Sequence, residues 1–265
     1  MSPKEDIKPR HRRRTVLVVL ISVSLILIGT VAVALSSSSQ KRGAGRAPVA
    51  TLTAPTLPES AENGASDVTV IATLNAPTAS FESPGGSSAG VIPPSWHSAA
   101  SALPVIAMHP DWLEVRLAQR PNESAAWIHR SPDITLTETP YRIVIDLVTT
   151  HLRLYRSGEL VLDAPAGIGT PADPTPTGSF FLAFFAQSPS PGYGPFVMVT
   201  SAHSDEITDW EESGDAIIAI HGPLGADSEI GTTGAAISHG CVRLHNSDLE
   251  QLRDVPAGTP IDVTA

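Results

Sequence analysis

A mainly β protein is predicted, with two consecutive β-rich parts behind an apolar N-terminal span. Three observations predict it. Apolar and polar residues alternate through Trp112-Leu113-Glu114-Val115-Arg116-Leu117 and again from Tyr141 to Leu147, the period of a strand with one buried face. Short runs of this kind recur between turn signals such as Pro121-Asn122 and Ser157-Gly158. Helical spacing is confined to one place near the C-terminus, around Leu249, Leu252 and Val255.

Residues 1–14 form a basic tail, with six Lys and Arg against Glu5 and Asp6, although the whole chain carries a net charge of −10. Residues 15–35 follow without a charge and are rich in Val, Leu and Ile. That length suffices for one transmembrane helix, and the basic cluster before it favours a cytoplasmic N-terminus. The expectation is therefore a single-pass protein of the cell membrane with its folded part outside. The alternative is a secreted chain, cleaved near Ala34 in Ala32-Val33-Ala34. Residues 36–67, rich in Ser, Ala, Thr, Pro and Gly and without aromatics, read as a flexible tether.

Residues 68–137 read as a small β module. Val68–Ala72, Pro104–Ala107 and Trp112–Leu117 are its strands, and a Pro121-Asn122 turn precedes Ala126-Trp127-Ile128-His129. The pattern Asp111-Trp112-Leu113-Glu114-Val115 with Trp127-Ile128-His129 resembles bacterial SH3-like modules. Trp112 and Trp127 are expected in its core, making the module a spacer or buttress; contact of these rings with wall sugar or peptide is the other reading.

Residues 138–265 are more strongly β. Tyr141, Ile143, Ile145 and Leu147 share a face, and His151–Arg156, Ser157-Gly158 and Glu159–Leu162 make a hairpin. Phe180–Phe185, Phe196–Thr200, Ala216–Ile220 and Ile261–Val263 add strands. Ser247-Asp248-Leu249-Glu250 is a capping-box pattern for a late helix with Leu249, Leu252 and Val255 inward. The acidic stretch Asp205, Glu206, Asp209, Glu211, Glu212 and Asp215 reads as solvated surface.

The chain has one cysteine, in Ser238-His239-Gly240-Cys241-Val242-Arg243-Leu244, and Ile220-His221-Gly222 lies upstream. One cysteine makes no internal disulfide, and a lone thiol on an exported chain suggests reactivity. Acyl transfer by a thiol needs a base to take its proton and N–H donors for the oxyanion. Cys241 is the candidate nucleophile. His221, at the end of a strand that can aim it, is the candidate base. His239 positions the thiolate, helps the oxyanion site or only packs. Gly240 and Cys241 offer backbone N–H groups. Ser238 bonds a histidine or serves the turn. Arg243 binds a substrate carboxylate or locks the cysteine loop. Tyr193, between Gly192 and Gly194, is a substrate-loop candidate, and residues 224–236 are expected to form a lid. An acidic chain with no basic stripe excludes nucleic acid, and the remaining histidines lack metal-ligand spacing, so neither metal nor cofactor is expected.

His221-Gly222, fifteen residues, then Ser238-His239-Gly240-Cys241-Val242-Arg243 resembles the signature of YkuD-type L,D-transpeptidases. Gly167-Ile168-Gly169-Thr170 with Pro174-Thr175-Pro176-Thr177-Gly178, Gly192-Tyr193-Gly194-Pro195, and Asn246-Ser247-Asp248 fit the same family. The resemblance covers about Tyr141 to Ala265. It implies a YkuD-like β-rich catalytic domain and 3→3 cross-linking of peptidoglycan stem peptides through a Cys241 thioester. Water in place of the amine acceptor would make the enzyme an L,D-carboxypeptidase. It further implies no cofactor and inhibition by carbapenems and related β-lactams. A non-catalytic wall-binding protein is the rival of another class. A papain-like or NlpC-type hydrolase fits less well, because those usually place Cys before His.

Overall fold

The computed structural model describes residues 68–209, 215–232 and 235–265. The basic tail, the apolar span 15–35 and the tether 36–67 lie outside the described residues. Among the described residues no helix is long and apolar enough to cross a membrane.

The first sheet is built from β1 (Thr69–Leu74), β2 (Thr78–Phe81), β3 (Ser88–Ile92), β6 (Ala102–Met108), β7 (Trp112–Arg116), β8 (Ala125–His129) and β9 (Ile134–Thr139), in the order β3-β2-β8-β7-β6-β1-β9. β4 (Ser95–Trp96) and β5 (Ala99–Ala100) form a separate hairpin. The alternation seen in the sequence decides which side chains turn inward. On β7 and β8, Leu113, Val115, Ala126 and Ile128 fill the core. Trp112 and Trp127 stand in the opposite phase. The expectation that they belong to the core is corrected: in the β7–β8 register Trp127 faces Glu114 and Trp112 faces His129 on the outward side. There Trp112 packs edge-on against Phe81 at 5.2 Å and His129 at 5.1 Å.

The second sheet contains β10 (Tyr141–Asp146), β11 (His151–Arg156), β12 (Glu159–Pro165), β14 (Gly178–Ala186), β15 (Val197–His203), β16 (Ile217–His221), β18 (Val242–Arg243) and β19 (Pro260–Thr264), in the order β12-β11-β10-β19-β14-β15-β16-β18. β13 (Ile168–Gly169) pairs in parallel with β17 (Ala236–Ser238) beside it. One helix among the described residues, α1 (Asn246–Glu250), starts two residues earlier than the Ser247 capping-box pattern suggests, with His245 at its N-cap and no side-chain cap. Leu249, Leu252 and Val255 do point inward, into a core that also holds Ile143, Leu152, Leu182, Ile220 and Val242.

β14 serves two cores. Its residues alternate so that Phe180 and Leu182 join the second sheet's core while Phe181 and Ala183 join the first sheet's. Polar contacts reinforce this joint. Asn122 Nδ2 donates to His203 O at 2.8 Å and its Oδ1 accepts the His203 N–H at 2.9 Å, the pairing a strand neighbour would make. Arg120 Nε donates to Asp215 Oδ1 at 3.0 Å, and the Ser179 N–H donates to Glu123 Oε1 at 2.9 Å. The acidic stretch is thus not simply solvated. Asp215 also meets the buried His203 ring at 2.8 Å, and Asp205 accepts a bond from Asn122. Burial alone would raise the Asp215 carboxyl, but its His203 and Arg120 contacts hold it below the usual range.

Candidate functional site

β16 and β18 run side by side in parallel, with Ile220 opposite Val242 and His221 opposite Arg243. Ile220 and Val242 are fully buried in the core. The alternate residues turn the other way, which sets His221, Arg243 and the adjoining Cys241 along one side of the strand pair. This is how two segments some twenty residues apart bring a thiol and an imidazole to one place.

The loop that carries Cys241 is held from within and from behind. Ser238 Oγ donates to the Cys241 carbonyl at 2.6 Å and accepts the Gly240 N–H at 3.1 Å. Ser238 is therefore the turn residue, and the Gly240 amide, expected as an oxyanion donor, is already engaged. Gly240 sits at φ +113, where a Cβ would also press to 2.7 Å from Ile218 Cδ1. Behind the loop, Thr175 Oγ1 donates to Gly240 O at 2.8 Å and accepts the Gly169 N–H at 2.9 Å. The Thr170 N–H reaches Ser238 O at 2.9 Å. Thr175 has no apparent role from composition; its place in the Pro174-Thr175-Pro176-Thr177-Gly178 run was the available signal.

His221 is 3 % exposed. Its Nδ1 lies 2.8 Å from Gly222 O. A carbonyl only accepts, so Nδ1 carries the proton of the neutral ring and Nε2 keeps a free lone pair. Burial lowers the imidazole's pKa to about 4, with Arg243 pushing the same way and the Gly222 carbonyl opposing. The Tyr193 ring packs on the imidazole, centroids 4.7 Å apart. The backbone of this loop clamps the strand end: Gly222 N–H donates to Tyr193 O and Leu224 N–H to Gly192 O, both at 2.8 Å. Gly222 has no room for a side chain, since a Cβ would lie 2.6 Å from Asn246 Oδ1 and 2.7 Å from Gly194 N.

Cys241 is half-buried. Burial raises its pKa, while a hydrogen bond with the Ala219 backbone and the charge of Arg243 oppose the rise. A raised thiol and a lowered imidazole make both groups neutral at rest. His239 is exposed, with Nε2 3.9 Å from Asp173 Oδ2. Of the lid expected over 224–236, the described residues 224–232 form a run of turns with Ile230 buried.

Fold and site together define a mainly β protein with a buried, neutral histidine at the end of one strand and a cysteine just before the strand that pairs with it in parallel. Residues 140–263 match the family model of the YkuD L,D-transpeptidase catalytic domain. A Bacillus licheniformis protein provisionally named L,D-transpeptidase YkuD is 35% identical over 136 residues, 51% of this chain and 70% of that one. Its Bacillus subtilis counterpart is 26% identical over 125 residues, 47% of this chain and 66% of that one. The chain belongs to the YkuD L,D-transpeptidase family. Among solved structures, an L,D-transpeptidase from Mycobacterium smegmatis is 18% identical with a TM-score of 0.39, covering 61% of this chain and 93% of that one. The catalytic domain of the E. faecium enzyme, solved also as its ertapenem adduct, is 24% identical with a TM-score of 0.34, covering 47% and 96%.

Proposed function

We propose that this protein is an L,D-transpeptidase that forms 3→3 cross-links in peptidoglycan through a Cys241 thioester. The observation that supports it best is the His221 geometry: a buried ring whose Nδ1–H is fixed on Gly222 O, which leaves Nε2 the lone pair a base needs, on the strand paired with the one after Cys241. Cys241 Sγ attacks the carbonyl between the diamino acid's L-centre and the terminal D-Ala of a tetrapeptide stem. His221 Nε2 takes the thiol proton as the C–S bond forms and returns it to the departing D-Ala nitrogen. The side-chain amine of a second stem attacks the thioester; His221 removes its proton and the sulfur leaves. Water in place of that amine gives the L,D-carboxypeptidase outcome. No step calls for a metal or organic cofactor.

In the same reading a carbapenem acylates Cys241, the 15–35 span anchors the chain, and the folded part works outside the membrane on the tether 36–67. The first sheet acts as an SH3-like buttress. The test is intact mass of the residue 36–265 protein after incubation with a tetrapeptide stem and an amine acceptor. A thioester mass and a cross-linked product are expected from the native protein and neither from Cys241→Ala. Product formation undiminished by Cys241→Ala overturns the proposal.

A further inference from the structure

Arg243 is a cation beside the candidate nucleophile, and no carboxylate of the described residues pairs with it. Its backbone is fixed from two sides: its N–H and C=O both bond Gly167 at 2.8 Å, and it lies opposite His221 in the β16–β18 register. Its side chain is half-buried, and Nε is buried with no hydrogen-bond partner. No carboxylate of the described residues pairs with its guanidinium, in a chain with ten more acidic than basic residues. A half-buried guanidinium left unpaired costs stability, and the neighbouring strands β13, β15, β16 and β17 carry no Asp or Glu to pair with it. Such a group fits an anion that arrives with the substrate.

Resting on the acyl-transfer reading above, we propose that Arg243 receives the free carboxylate of the acyl donor's last residue. The enzyme would then read a peptide whose scissile bond is its C-terminal one. Cys241 and Arg243 are two positions apart on one side, roughly 7 Å along the strand, with core residue Val242 between them. In the donor, the attacked carbonyl carbon and the terminal carboxylate carbon are separated by one nitrogen and one Cα, a span of about 4 Å. With the sulfur on the first, the long arginine stem can swing its planar fork back over the second and close the difference between the two lengths. A carbapenem presents the same order of atoms: lactam carbonyl, nitrogen, ring carbon, carboxylate. One residue thus accounts for recognition of both the stem and the inhibitor.

The experiment compares two tetrapeptide donors, identical except for a C-terminal carboxylate or carboxamide, by the rate of Cys241 acylation measured as intact mass. Wild type should favour the carboxylate on the order of 10- to 100-fold, as charge-assisted hydrogen bonds would give. Arg243→Gln should bring the ratio near one, mostly by raising the donor concentration needed for half-maximal rate, and Arg243→Lys should restore part of it. Arg243→Gln should melt no lower than wild type, because it removes an unpaired charge. Equal rates for the two donors on wild type, or a ratio that survives Arg243→Gln, overturns the assignment. So does a fall of several degrees in melting temperature, which would make Arg243 a lock on the loop. Absence of acylation by either donor on wild type overturns the acyl-transfer reading itself, and this inference with it.

Discussion

His221 and Cys241 are both neutral at rest because the fold desolvates both, in opposite directions. Burial lowers the imidazole's pKa to about 4 and raises the thiol's. In the proposed mechanism the proton would therefore pass from thiol to imidazole during attack, with no ion pair stored beforehand. The pH consequence has a definite sign. The folded pKa of His221 lies below the unfolded value near 6.5, so the unfolded chain binds the extra proton between the two. Stability falls as pH drops from about 6.5 to 4, by on the order of 3 kcal/mol from this residue alone. Denaturant melts across that window should show the loss, and His221→Gln should flatten it. Acylation by a neutral thiol reagent that needs the base should fall through pH 4 in wild type. His221→Ala should cost two to four decades of transfer rate, the usual worth of general base help, and His239→Ala much less, given its exposed place 3.9 Å from Asp173. A large loss for His239→Ala with little for His221→Ala, in stopped-time transfer assays, would reverse the roles.

At the scale of elements, the cysteine loop is aligned by its neighbours. Gly169 and Thr175 tie the β13 segment to Gly240 O, and a Cβ at Gly169 would meet Asp173 O at 2.3 Å and Thr175 N at 2.5 Å, both backbone atoms with nowhere to go. Gly169→Ala should therefore cost roughly 1–3 kcal/mol in chemical denaturation and shift the loop enough to slow acylation. Thr175→Val, of similar volume, deletes both bonds and leaves the Gly240 carbonyl unsatisfied; a loss of about 1–3 kcal/mol is expected in the same assay. The outward face of the first sheet is a separate matter. Trp112 and Trp127 lie outside its core, so Trp112→Ala with Trp127→Ala should leave the melting temperature within a few degrees. If the wall-contact reading holds, sedimentation with purified wall should drop.

The whole molecule is held together at β14. Phe181 is 1 % exposed in a core built by the other sheet, and Asn122 completes the backbone bonds of His203. A chain starting at Tyr141 would uncover Phe181 and Ala183 and strand the polar atoms that Asn122, Arg120 and Glu123 satisfy. Burial of a phenylalanine side chain alone is worth about 1.5–3 kcal/mol. The spacer reading of 68–137, under which 141–265 would keep carbapenem acylation unaided, thus gives way to an expectation that the short chain is markedly less stable than 68–265. Comparative thermal melts of the two, with acylation rates below both midpoints, decide it; equal melting temperatures would restore the spacer.

The mainly β character and the candidate site were legible in the sequence for a simple reason. Period-2 alternation at Leu113/Val115 and Ile143/Ile145 reports which face is buried, and a lone cysteine in Ser238-His239-Gly240-Cys241 can be seen without knowing what it touches. The strands β13 and β18, two residues each, are too short to show a period. Whatever depends on a partner far away in the chain became visible in the folded structure alone. It showed that Ser238 serves its own turn, that Trp112 and Trp127 face outward, and that Asp215 is committed to Arg120 and His203. It also showed that Arg243 meets no anion among the described residues. Hydrogen-bond direction, burial and the absence of a counter-ion are properties of pairs and surroundings, and a list of residues contains only the members.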